Sequence, residues 1–267
     1  MPRVIAITSG KGGVGKTNIT GNLAIALTRL GKRVVVIDAD VGLSNVDIIF
    51  NIRPEYNIKH VISGEKKLTE VMVTTEHGVM IIPGGTGFAN FTQLTDSEKL
   101  NFLTEFEVLD DKADIVLIDT AAGISSNVLY FNSGADESIV IATKEPTSLT
   151  DSYALMKVLS QNYGIKYFKL IVNMVSFEKD AKIVYKALSE AMERFLGNVV
   201  LEYFGYIPSD PLLQKAVLKR TTVLDYNSNA PSGINIKMLA QKIANSTRTS
   251  TGDGNIKFFM KKIFNVV

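Results

Sequence analysis

Short apolar runs recur along the chain and alternate with longer stretches patterned at helical spacing. Residues 4–7, 33–37, 115–118, 138–143, 168–175 and 200–207 are rich in Val, Ile and other apolar side chains. Continuous runs of this length, without strict polar alternation, predict strands buried on both faces of a parallel sheet. Residues 78–82, closed by Pro83-Gly84-Gly85-Thr86, predict one further strand and its turn. Between the runs, Ile19, Leu23, Ile25, Ala26 and Leu30 predict a helix over residues 18–30, stopped at Gly31-Lys32. Residues 57–62 predict a short helix that stops at Ser63-Gly64. Thr150 or Asp151 is expected to cap a helix carrying Tyr153, Leu155, Met156, Val158 and Leu159, and residues 212–217 and 234–245 predict two more. Strands alternating with helices predict an α/β fold, a doubly wound and mostly parallel sheet flanked by helices.

Composition narrows this picture by exclusion. At 267 residues with 46% hydrophobic content, the chain can bury one large core, and no break in composition divides it. Residues 1–245 are expected to form that domain. The formal net charge of +2 gives no global attraction to nucleic acid. With no cysteine there are no disulfides and no thiolate-held zinc or iron–sulfur centre, which fits a reducing cytosol. No apolar run is long enough to span a bilayer, and no signal peptide is expected ahead of the first strand.

The chemistry concentrates at the ends of the predicted strands. Ser9-Gly10-Lys11-Gly12-Gly13-Val14-Gly15-Lys16-Thr17-Asn18 joins the first strand to the first helix and contains GxxxxGK[ST]. Its glycines let the backbone approach a polyphosphate, and the turn's N–H groups and the helix N-terminus attract the anion. Lys16 is placed to neutralise the β and γ oxygens, and the Thr17 hydroxyl to ligate Mg²⁺. The second strand delivers Asp38-Ala39-Asp40, two carboxylates where open α/β sheets place their chemistry, one expected toward Mg²⁺ and one toward an attacking water. The 115–118 run ends in Asp119, the Walker B pattern, whose acid supports the Mg²⁺ water shell. In Asp119-Thr120-Ala121-Ala122-Gly123 the glycine leaves room for a backbone N–H to approach the γ-phosphate. Asn173, at the end of another strand, offers the donor and acceptor that an adenine edge requires. No NKxD motif accompanies Lys144, so guanine specificity is not expected. His60 and His77 have no visible partner and carry no assigned role.

Lys11 near the start of the loop, together with DxDxGxxN at residues 38–45, makes the chain resemble the deviant Walker A (signature-lysine) ATPases of the MinD/ParA family. DTxxG at 119–123 and EPTSxTDxYA at 145–154 are similar to the flagellar branch of that family, FlhG (FleN), with MinD as a near relative. The resemblance implies a P-loop ATPase that hydrolyses ATP to ADP and phosphate, with ATP/ADP and Mg²⁺ as ligands. It implies a homodimer when ATP is bound, with Lys11 reaching the partner's nucleotide. It further implies that Asp38 supports the Mg²⁺ shell, Asp40 orients the hydrolytic water and Asn45 contacts the γ-phosphate region. Asn173 and the loop Pro208-Ser209-Asp210 would surround the base. By the same resemblance the role is regulation of flagellar number or placement, with an FlhF-like GTPase, a C-ring component or a transcription activator as partner. The alternatives are a MinD-type division-site regulator and a ParA-type partition ATPase, the latter disfavoured by the near-neutral charge. Flagellar members often carry an N-terminal DQAxxLR-like motif that stimulates FlhF, and this chain opens at its first strand instead.

The C-terminal residues add a membrane element to these expectations. Residues 246–254 are a polar, glycine-containing stretch that predicts a flexible linker. In residues 255–267, Ile256, Phe259, Met260, Ile263 and Phe264 share one face of a helical wheel, with Lys257, Lys261 and Lys262 opposite. A short helix of this kind suits an anionic membrane surface and is too short to cross it. Two copies brought together by dimerisation would bind far better than one. A peripheral protein at the cytoplasmic face of the inner membrane is therefore expected.

Overall fold

The computed structural model describes residues 2–40, 46–85 and 94–246. Eight strands order them: β1 Arg3–Ser9, β2 Val34–Ala39, β3 Val73–Thr74, β4 Met80–Ile82, β5 Ile115–Ala122, β6 Glu137–Ala142, β7 Tyr167–Val175 and β8 Val200–Pro208. The helices of the first half are α1 Lys16–Arg29, α2 Val46–Ile49, α3 Ile58–Ile62, α4 Leu68–Val71, α5 Asp96–Phe106 and α6 Leu109–Lys112. The second half adds α7 Ser126–Gly134, α8 Pro146–Tyr163, α9 Glu178–Leu196, α10 Pro211–Leu218, α11 Val223–Tyr226 and α12 Pro231–Asn245. The strands form one sheet in the order β3-β4-β2-β5-β1-β6-β7-β8, parallel throughout except for the β3–β4 pair.

The apolar runs explain why the sheet is buried on both faces. Along β1, β2 and β5, Ile5, Ile7, Val34, Val36, Ile115 and Leu117 pack with α1 and α12 on one side. Their neighbours Val4, Val35, Ile37, Val116 and Ile118 pack on the other, with Phe102 and Phe106 of α5. Further along, Val140, Leu170 and Val172 meet Leu155 and Leu159 of α8 and Val184 and Leu188 of α9. Each such side chain, fully buried, stabilises by roughly 1.5–3 kcal/mol, and a polar residue at these positions would forfeit that gain.

Two helix starts differ from what the sequence suggests. α1 opens at Lys16 rather than at residue 18, because Gly15 adopts φ +87° and turns the loop directly into the helix. α8 opens at Pro146, not after Thr150 or Asp151. Proline suits the first helical position, where its missing N–H is not needed. The Thr150 hydroxyl instead bonds back to the Pro146 carbonyl, four residues up the same helix.

A charged cluster is buried at the amino ends of the central strands. Glu137 is bound by Arg3 and, at 2.5 Å, by Lys169. Arg3 also donates to the carbonyls of Ile243 (2.6 Å) and Ser246 (3.3 Å) at the end of α12. This fixes the last turn of α12 against the start of β1. Residues 247–267, including the expected membrane-binding Ile256, Phe259, Met260, Ile263 and Phe264 and nearly all of the expected linker, lie outside the described residues. No helix among the described residues is long and apolar enough to cross a membrane.

Candidate nucleotide site

The strand order β2-β5-β1 brings the three predicted motifs onto neighbouring strands at the carboxyl edge of the sheet. There the loop after Ser9 opens into a cleft of about 590 Å³. Lys11, Gly12, Gly13, Val14, Gly15, Lys16, Thr17 and Asn18 line it, with Asp40 and Asn173. Gly10 does not line the cleft. It lies against α8 so closely that a β-carbon there would stand 2.1 Å from the Asp151 carbonyl carbon. The glycine is thus required for packing as well as for the turn.

Beneath the cleft are the acids. Asp38 and Asp119 are paired in register on adjacent parallel strands, and both are almost fully buried. The Lys16 ammonium lies 3.6 Å from Asp119 Oδ1, and the Thr20 hydroxyl donates to the same oxygen at 3.2 Å. Burial drives the Asp119 pKa up, against the lowering influence of Lys16 and of the Thr17 and Thr20 hydroxyls. Its Oδ2 is buried without a hydrogen-bond partner. Two buried carboxylates side by side, one with an unmet oxygen, are costly unless a cation joins them. The oxygen-only donor set of Thr17, Asp38 and Asp119 fits Mg²⁺. No group of three or more His or acidic residues converges on a metal position among the described residues. Asp40, just beyond the end of β2, reaches the cleft itself, and its N–H donates to Asp38 Oδ1 at 3.1 Å.

Other predicted residues are placed differently. Asn173 lines the cleft, but its amide nitrogen donates to the Val14 carbonyl at 2.7 Å and sits against Gly15. It therefore holds the phosphate loop as well as facing the base side. The Gly123 N–H donates to the Ser9 carbonyl at 2.9 Å, and Gly123 does not line the cleft. Asp210 caps α10, accepting from Leu212 N–H (2.8 Å) with one oxygen and from the Ser232 N–H (3.0 Å) and hydroxyl (2.7 Å) with the other. Burial works to raise the Asp210 pKa, but these bonds outweigh it and hold the carboxyl below its usual range. Both oxygens are thus committed to joining α10 to α12, and neither Pro208 nor Asp210 lines the cleft. Asn45 lies outside the described residues. His60 closes the capping box of α3, and His77 stands 3.2 Å from Asp225.

The cleft also has an apolar wall that no motif marks. Met174, Leu213, Val217 and Leu218 line it with Ile48 and Ile49. Met174 adopts φ +59° at a register shift between β7 and β8. Leu218 is 84% exposed. A purine face could stack on such a wall. The visible signal was α10's apolar pattern beyond what its buried face needs, since only Ala216 of that helix is buried.

Residues 5–223 match the model of the CobQ/CobB/MinD/ParA nucleotide-binding domain. The chain belongs to that family. Within it, the antiactivator FleN of Pseudomonas aeruginosa is 36% identical over 261 residues, covering 98% of this chain and 93% of FleN. The flagellum site-determining protein YlxH of Helicobacter pylori is 33% identical over 264 residues, covering 98% and 89%. Among solved structures, the MinC:MinD cell division complex of Aquifex aeolicus is similar with a TM-score of 0.72 and 26% identity, over 95% of this chain and all of that one. This MinD/ParA-type chain is thus a P-loop nucleotide-binding protein, and its sheet is the family's.

Proposed function

We propose that this chain is an ATP-dependent switch that regulates flagellar number or placement. It is a P-loop ATPase whose ligands are ATP or ADP with Mg²⁺. The observation that carries the cellular reading is the match to FleN along 98% of the chain. It is supported by the phosphate loop and paired acids that the fold assembles. Lys16 and the loop N–H groups bind the β and γ oxygens, and Asn173 and the α10 wall hold the base. Asp38, Asp119 and Thr17 would hold Mg²⁺, which when bound neutralises charge developing on the phosphates. Asp40 accepts a hydrogen bond from the hydrolytic water and orients it.

In this reading ATP closes a homodimer in which Lys11 of each protomer reaches the other's nucleotide. Dimerisation pairs the C-terminal segments, residues 255–267, and docks the protein on the inner membrane through residues such as Phe259 and Phe264. Hydrolysis releases it. A transcription activator, an FlhF-like GTPase or a C-ring component receives the signal. That FleN is an antiactivator favours the first of these. The fold shared with the Aquifex MinD favours a division-site regulator as the second reading.

Liposome cosedimentation with ADP and with ATP, for the full chain and one ending at Gly254, tests the switch. Binding with ATP alone, lost on truncation, is expected; a full chain left in the supernatant with ATP overturns membrane control. Deleting the gene should change the number of flagella per cell, whereas misplaced septa with normal flagella would favour the MinD-type role.

A further inference from the structure

The EPTSxTDxYA stretch that marks the flagellar resemblance forms the start of α8, and that start is built against the phosphate loop. Gly10 packs on the α8 backbone at Asp151 and Ser152 with no room for a β-carbon. The Ser148 hydroxyl accepts from the Thr143 N–H at 3.0 Å, fixing the turn into the helix. On this rigid seat the Lys11 ammonium donates to Glu145 Oε2 at 2.5 Å and to the Thr147 hydroxyl oxygen at 2.8 Å. Glu145 is the N-cap residue of α8, yet its side chain makes no capping bond. Its carboxylate is turned to the lysine instead.

We propose that Glu145 and Thr147 form a latch that holds Lys11 within its own protomer and sets the threshold for ATP-driven pairing. The inference rests on the dimer reading above and concerns the regulation of that same site. An ammonium has three protons, and here two are already taken. Reaching a phosphate chain on a second protomer swings the ammonium away from both acceptors, so both bonds are exchanged for bonds to phosphate oxygens. The exchange is affordable because the pair is part-exposed, with side-chain accessibilities of 35% and 61%. Pairs of this kind change an equilibrium by about two- to fivefold. A symmetric dimer opens two latches, so the effect enters its association constant squared, roughly four- to twenty-five-fold.

The test is the dimerisation constant of the full chain, measured by analytical ultracentrifugation with a non-hydrolysable ATP analogue and Mg²⁺. Glu145→Gln should dimerise at lower protein concentration than wild type by the factor above, and Thr147→Val in the same direction by less. The ratio of variant to wild type should fall toward one as salt rises from ~50 mM to ~500 mM, because an exposed ion pair is screened. The ADP affinity of both variants should match wild type. Should Glu145→Gln dimerise equally or more weakly while wild type dimerises normally, the latch is overturned and Glu145 is incidental or aids the crossing. A wild-type chain that stays monomeric with the analogue defeats the dimer reading, and the latch with it. If Glu145→Gln does not fold, Thr147→Val decides by the same sign.

Discussion

The Asn173 amide nitrogen donates to the Val14 carbonyl across a 2.7 Å hydrogen bond, tying the end of β7 to the phosphate loop. A residue read from sequence as a base contact is thereby also a brace for the phosphate site. Losing the brace costs a buried hydrogen bond and frees the loop, together worth about 1–2 kcal/mol. Asn173→Ala should weaken both ADP and inorganic triphosphate binding by roughly tenfold in calorimetry. If ADP alone weakens, Asn173 acts on the base and not on the loop.

Asp38 and Asp119 stand side by side in register on adjacent strands, both buried, and Asp119 Oδ2 has no hydrogen-bond partner. Asp38→Asn keeps an acceptor for the Asp40 N–H and removes one charge. The ligand-free melting temperature should stay level or rise by a few degrees, as expected for relief of about 1 kcal/mol of repulsion. The additional thermal stabilisation that Mg²⁺ gives to the ATP complex should disappear. A variant that retains it would show that Asp38 has no part in holding the ion.

Glu137 carries the stability of the buried cluster. Burial works to raise its pKa, but Arg3 and Lys169 outweigh that and keep the carboxyl below the ordinary 4.5. A depressed pKa means the contribution is complete above pH ~4.5 and is lost as pH falls through the folded value. Glu137→Gln leaves two buried cations unmatched and should cost about 3–5 kcal/mol at pH 7 in urea unfolding. Its loss of stability between pH ~5 and ~3 should be shallower than that of wild type.

Asp210 distinguishes a scaffold residue from a ligand contact. It joins the start of α10 to Ser232 at the start of α12 through three hydrogen bonds. Asp210→Ala should destabilise the nucleotide-free chain by about 2–3 kcal/mol, measured by thermal unfolding. An unchanged ligand-free stability with weaker ATP binding would instead assign Asp210 to the base.

The strands were legible because parallel strands buried on both faces write continuous apolar runs, as at Val34 to Ile37. The phosphate loop was legible because glycine spacing, Lys16 and Thr17 leave few alternatives. The entry to α8 was misread because Thr150 and Asp151 are good caps by type, whereas Pro146 and the loop's need to seat Gly10 decided the start. Asp210 and Gly123 were placed at the site by motif, but their hydrogen bonds run to Ser232 and Ser9. Neither the direction of a side chain 22 residues from its partner, as for Asp210 and Ser232, nor a backbone bond between the ends of two strands, as for Gly123 and Ser9, is written in spacing. The apolar wall was missed because Leu213, Val217 and Leu218 look like an ordinary helix face until the cleft beside them is seen.

Arg3 grips the last turn of α12 at the foot of β1, and the phosphate loop begins at the head of that same strand. Seven residues of strand separate the two, roughly 23 Å. Whatever follows Ser246 therefore departs from the pole of the molecule opposite the nucleotide. A bound phosphate cannot touch that departure point directly; in the proposed switch, news of it travels by the way two whole bodies are brought into alignment.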